Sequence, residues 1–323
     1  MNGKRLLGAA LALFVGLGPV QPGLGAAPAQ TVWRGQFEGW LPLPSQTPDP
    51  AAAAAAGGLR GRSLVLRDDD LQGPAGLACG RARPTLLKMP AQGLFQGALD
   101  PAGALPPAAQ ARALGLDGAR VLTLRIECDN ASLDLHRDRA GHWLLALDGR
   151  VARWREARAG AGDSPLAAVL ALLVHHQSAQ HPSVAAQAQA LRRWLHPQLQ
   201  RAFADYLRQP WPPDEVPPLD GDPFTDSQEP ADRLQLGPAR IDGGSAQVPV
   251  RVVFDLGAGR EAARSLRYEL QRHQGHWRVL DVRDEQGSTL RELLSQRPPA
   301  AAPARAQPGP GGRQNPAATA SGR

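Results

Sequence analysis

The densest group of chemically capable side chains lies in one short stretch: Asp220, Asp222, Asp226, Glu229 and Asp232. Carboxylates gathered in a loop, with backbone carbonyls between them, are the ligands calcium takes. The spacing departs from the twelve-residue calcium loop, since Gly221 is misplaced and no Glu closes the loop at the right distance. Local structure is the better reading. Asp222 precedes Pro223 and is driven toward an extended conformation. Asp226 is then placed to cap backbone N–H groups. Phe224 is the one large apolar residue among prolines and acids, so it is expected to plug the open end of a core, against Phe203 and Leu207.

Other chemistry is sparse. His175 and His176 are adjacent, with His181 and His196 nearby. Neighbours on a helix point about 100° apart and do not grip one ion together, so a core-edge or surface role is expected. No G-x-S-x-G elbow, H-E-x-x-H or P-loop occurs. Cys79 and Cys128 are the only cysteines. Without nearby histidines at ligand spacing they do not suggest zinc, and an even count in an oxidising compartment predicts a disulfide. Closing that loop is worth about 4 kcal/mol in the chain-entropy model.

The start of the chain supplies the compartment. Lys4 and Arg5 precede an apolar run from Leu6 to Val15, broken by Pro19 and Gly23. Ala27-Pro28-Ala29 offers an A-x-A cleavage site, and an earlier one follows Ala26. The run is shorter than the roughly 20 residues a membrane span needs. Residues 1–29 therefore read as a signal peptide, and the expectation is a soluble periplasmic protein with no membrane span in the mature chain. The formal charge of +6 misleads, because Lys4 and Arg5 lie in that segment and Arg297, Arg305, Arg313 and Arg323 follow residue 296 with no acid among them. The middle is near neutral, which excludes a nucleic-acid surface.

The elements that must position these groups fall into two sets. Residues 30–157 alternate apolar and polar with period two, at Leu64 and Leu66, at Leu77 and Cys79, from Leu122 to Cys128, at Leu133 and Leu135, and from Trp143 to Leu147. This predicts an N-terminal antiparallel β-barrel or sandwich, interrupted by one short helix from Ala108 to Leu114. The six alanines from Ala51 lie in a Pro- and Gly-flanked loop. Arg158 to Asp163 marks a boundary. Residues 164–296 then open with three helices, capped by Ser164 and Ser183 and begun by Pro197. Strands follow: Leu234 to Ile241, Val248 to Phe254, Leu266 to Leu270, and a last strand at Trp277 to Leu280 that is apolar on both faces and expected inside the sheet. A terminal helix starts at Ser288. Residues 297–323 are too poor in apolar side chains to fold.

Three helices, a proline-dense loop with Asp222-Pro223-Phe224-Thr225-Asp226, and a closing strand with Gly275, Trp277, Val279 and Asp281 resemble a bacterial envelope domain family of unknown function in the nuclear transport factor 2 superfamily. The resemblance covers about residues 164–296. It implies an α+β cone domain: helices packed on a curved antiparallel sheet round a pocket. It implies no catalytic residues and no cofactor. Cone-fold enzymes place an Asp–His or Asp–Tyr pair in that pocket, but Asp205, Tyr206, Asp255 and Tyr268 each fit a surface, core or turn pattern. The expected function is non-catalytic binding of an envelope protein or small ligand. The alternatives are a small pocket isomerase or hydrolase, and an inhibitor or immunity protein against a cell-wall enzyme.

Overall fold

A computed structural model describes residues 30–43 and 56–298, except 75, 100–101, 104, 130, 148, 158–163, 179–182 and 213–215. The expected signal peptide, the alanine run up to residue 55, His181, the boundary at 158–163 and residues 299–323 lie outside the described residues.

The strands are β1 (Thr31–Pro42), β2 (Ser63–Arg67), β3 (Asp70–Gln72), β4 (Cys79–Gly80), β5 (Arg83–Pro90), β6 (Arg120–Glu127), β7 (Ser132–Arg137), β8 (Trp143–Leu147) and β9 (Arg150–Glu156). After the helices come β10 (Arg233–Leu236), β11 (Arg240–Asp242), β12 (Ser245–Asp255), β13 (Glu261–His273) and β14 (His276–Arg283). The helices are α1 (Pro107–Ala113), α2 (Pro165–Ser178), α3 (Val184–Leu191), α4 (Pro197–Leu207) and α5 (Leu290–Ser295).

All 14 strands among the described residues belong to one antiparallel sheet, ordered β14-β13-β12-β10-β5-β6-β7-β8-β9-β1-β2-β3-β4, with β11 beside β12. This overturns the expected fold class. Residues 164–296 do not make a separate α+β cone next to an N-terminal barrel or sandwich. The joining strand is β5, which holds β6 on one edge and β10 on the other, with Leu86 opposite both Leu124 and Leu234. Its sequence, Arg-Pro-Thr-Leu-Leu-Lys-Met-Pro, shows no period-two alternation and is bracketed by prolines. The signal that finds half-wet strands therefore passes over it. The main core spans both halves: Leu124, Trp143 and Trp154 pack in the same cluster as Phe224, Tyr268 and Trp277.

The sheet is curled. Cys79 of β4 and Cys128, just past β6, form a disulfide with their Cα atoms 6.0 Å apart, although β4 and β6 are seven strands apart in the order. Laid flat at about 4.8 Å per strand, that separation would exceed about 30 Å. The covalent bond thus fastens one end of the sheet back onto its own middle. Helix α2 packs against β1, β6, β12 and β14, strands from both halves. The helical spacing of Leu166, Val169, Leu170 and Leu173 predicts one apolar stripe, but Ala167, Ala168, Leu172 and Val174 are buried too. A helix apolar all round is one enclosed on all sides.

Local signals decide the element ends. Ser164 Oγ accepts from the Ala167 N–H at 2.9 Å and Ser183 Oγ from the Ala186 N–H at 3.2 Å, so both predicted caps form. Helix α5 begins at Thr289 rather than Ser288, in a capping box with Glu292. The β13–β14 turn has Gln274 and Gly275 at φ of 50° and 80°, the left-handed pair that a two-residue hairpin requires. Two expectations fail here. Leu234 to Ile241 is split into β10 and β11. Strand β14 lies at the end of the sheet, not inside it. Its free edge is covered by the chain at Leu195 and His196, whose N–H donates to the Val279 carbonyl at 2.8 Å.

Candidate functional site: a cleft built on the Asp222 turn

Between β10 and the loop before it, Asp222-Pro223-Phe224-Thr225-Asp226-Ser227 folds back on itself. The Asp222 N–H donates to the Ser227 carbonyl at 2.7 Å. Gly221 is needed at the entry, because a Cβ there would stand 2.8 Å from that same carbonyl oxygen. The expected capping role falls to Asp222 rather than Asp226. Asp222 Oδ1 accepts the Phe224 N–H at 2.9 Å, and Oδ2 accepts the Thr225 hydroxyl at 2.7 Å. Asp226 instead has φ of 48° and pairs at the surface with Arg264.

Asp222 has two further donors. His176 Nε2, from the far end of α2, reaches Oδ2 at 2.6 Å, and Gln187 Nε2, from α3, reaches Oδ1 at 3.2 Å. The same Gln187 amide lies 3.1 Å from His176 Nδ1. Gln187 thus stands against both the imidazole and the carboxylate. Four donors fill the acceptor positions of Asp222, so no lone pair is left to take a proton from a substrate. Burial alone would raise its pKa, but the hydrogen bonds from His176, Thr225 and the Phe224 N–H outweigh burial and hold it below the ordinary carboxylate value. The Phe224 ring is fully buried, 5.7 Å from His176 and 6.2 Å from Phe203, and its carbonyl accepts the Tyr268 hydroxyl. Burial pushes that phenol well up. Leu207, the other expected neighbour, is 43% exposed on the outer face of α4.

The outer side of this turn forms one wall of an open cleft of about 910 Å³. Its apolar floor comes from four elements: Phe254 of β12, Leu266 of β13, Val282 of β14, and Leu290 and Leu293 of α5. Leu256, at the β12–β13 tip, also lines it and is 54% exposed. The rim is acidic. Asp220, Asp222, Asp226, Glu229 and Asp232 of the loop are joined by Asp255 and Asp284, against the guanidiniums of Arg120 and Arg264 alone. Each guanidinium already serves a carboxylate, Arg120 on Asp232 at 2.7 Å and Arg264 on Asp226 at 3.1 Å. Asp255 Oδ1 and Asp284 Oδ1 accept only backbone N–H groups. Glu229 has no ion pair among the described residues.

Most other candidates are engaged elsewhere. Asp205 pairs with Arg208, and the Tyr206 hydroxyl accepts the Leu219 N–H at 3.2 Å. The His175 ring lies tilted against Trp194 at 4.9 Å, and His196 sits edge-on to His273 at 5.3 Å. Trp277 is fully buried, with Arg272 over its ring at 4.7 Å. Gly275 supplies the turn described above. Among the described residues, no three His, Cys, Asp or Glu side chains converge as metal ligands. The sequence reading missed Gln187, and with it the His176–Asp222 pair. A Gln inside an alanine-rich helix that also holds Gln189 carries no signal, and 35 residues separate Gln187 from its partner. No helix of the described residues is long and apolar enough to cross a membrane. Compared with known proteins, the chain matches no family model, no curated protein and no solved structure.

Proposed function

We propose that this chain is an exported, non-catalytic binding protein of the bacterial envelope, and that it binds its ligand in the cleft beside the Asp222 turn. The observation that carries this reading is the cleft itself. Its floor is apolar, its rim is polar, and it rests on a wall fastened from behind by Asp222, His176 and Gln187. Pockets that bind have this construction: apolar walls with a few fixed polar groups. The one acid–base pair beneath it is saturated with internal hydrogen bonds, which makes it a brace. The positive, apolar N-terminus and the Cys79–Cys128 disulfide support export.

The test is capture from envelope extract by the mature protein and by Ala262→Trp. Ala262 is a half-buried residue of the cleft wall, paired with Phe254 and on the same face of β13 as Arg264 and Leu266, so a large ring there fills the cleft. Capture lost at unchanged melting temperature supports the reading. Equal capture by both proteins removes the cleft from the function.

A further inference from the structure

We propose that the cleft takes a basic peptide segment, one that presents arginine or lysine side chains alternating with apolar ones. The inference rests on the binding reading above and names the ligand class. Three observations carry it. Besides the saturated Asp222, the rim sets six carboxylates against two guanidiniums, and both guanidiniums are already neutralised by Asp232 and Asp226. Such a mouth repels phosphate, nucleotide and anionic lipid headgroups and attracts cations. The floor is apolar, and Leu256 stands exposed beside it, so a bare cation would leave that surface wet. An arginine or lysine stem covers apolar surface while its head reaches the rim. Finally, the cleft is open and, at about 910 Å³, near the top of the roughly 300–1,000 Å³ range of small-molecule pockets. A chain segment laid along it fits better than an enclosed small molecule. Phe254 is the single aromatic residue of the lining, which gives no stacking platform for sugar rings.

The experiment uses the full mature chain and a fluorescent capped hexapeptide alternating arginine and leucine, read by anisotropy at low salt. The expected result is micromolar binding that weakens several-fold when salt is raised toward about 0.3 M, since rim charges are screened over about 10 Å or less. Glu229→Gln with Asp284→Asn should weaken it at least five-fold while leaving the melting temperature unchanged, since the asparagine side chain keeps an oxygen for the Ser288 N–H. Equal affinity for a serine–leucine hexapeptide overturns the charge inference, and so does spermidine displacing the peptide as well as the peptide displaces itself. No peptide binding, with envelope capture still abolished by Ala262→Trp, overturns this inference and leaves the binding reading intact. Peptide binding untouched by Ala262→Trp overturns both. One more arm addresses the chain's own basic segment. A ten-fold affinity gain on changing Arg305, Arg313 and Arg323 together to Gln would make that segment the occupant and overturn the assignment to a partner.

Discussion

Each half of the sheet clasps an irregular loop with a buried histidine, and the two histidines do so with opposite chemistry. In the first half, His136 of β7 is fully buried. Its Nε2 accepts the Phe95 N–H at 2.9 Å, while Nδ1 lies 2.9 Å from the Thr123 hydroxyl. Phe95 and Gln96 adopt φ of 53° and 57°, left-handed values that side chains other than glycine rarely take. The imidazole holds that turn over a small second core that includes Leu94, Leu99 and Leu116. In the second half, His176 donates to Asp222. One histidine works by accepting and must stay neutral. The other works by donating to an anion, with Gln187 facing its second nitrogen. The same residue type, buried in both places, thus gives two loops with different responses to acid.

The largest effect that sharpens this contrast is Phe224→Ala. The ring has no exposed surface, so its removal should cost about 3–5 kcal/mol, read as a fall in melting temperature. A change under about 1 kcal/mol would mean the Asp222 turn is not anchored in the core, and the comparison would lose its second member.

Next comes mild acid. Burial first of all, with Arg125 nearby, lowers the His136 pKa from 6.5 to about 4. Between those values the unfolded chain binds a proton that the folded chain refuses. Stability is therefore complete above pH 6.5 and falls as pH drops toward 4, by roughly 3 kcal/mol in all. Asp222 behaves otherwise. Its folded pKa lies below 3.8, so its contribution is present above that value and is lost only at lower pH. Hydrogen exchange at about pH 4.5, between the folded value of about 4 and the unfolded 6.5, should show the Phe95 amide exposed before that of Phe224. The reverse order breaks the comparison.

A smaller loss, about 1–2 kcal/mol, is expected for Gln187→Leu, which removes one hydrogen bond from His176 Nδ1 and another from an Asp222 oxygen. The loss is read as a fall in melting temperature; an unchanged melting temperature would show that Gln187 does not brace the His176–Asp222 pair. The smallest change is Asp226→Ala. Its pair with Arg264 is about half exposed on both sides, so the cost should stay under about 1 kcal/mol and be the same with calcium or chelator. Destabilisation by chelator alone would make the carboxylate loop a metal site.

The sequence made one of these two clasps conspicuous. Phe224 stands out because prolines and acids surround it, and the Asp-Pro pair announces a turn. His136 is hidden inside an alternating strand, at a position that reads as wet, since it shares a face with Asp134 and alternates with Leu133 and Leu135. Its partner loop, Ala91 to Gly97, carries no turn residue at the two left-handed positions. The strands were unequally legible for a related reason. Those with one wet face, such as β12, declare themselves by alternation. Strands β5 and β9 do not: β5 is buried along Pro84 to Leu86 and β9 at both Val151 and Ala152. Without β5 the join between the halves is invisible, and the pattern reads as two separate folds where one sheet forms. The cleft was beyond reach for a further reason, since its walls are drawn from residues between Arg120 and Leu293.

The place of β5 in the sheet also sets a timetable for the growing chain. It pairs with β6 soon after Glu127 has emerged, but its second neighbour, β10, is made more than a hundred residues later. For that interval the first half presents a strand edge of unpaired amides and carbonyls, with Leu86 behind it. Such an edge recruits strands from other copies, and pairings this distant in sequence are slow to close. Until the β10 segment arrives, the nascent first half is the stage most exposed to aggregation, and the one where a holding chaperone would matter most.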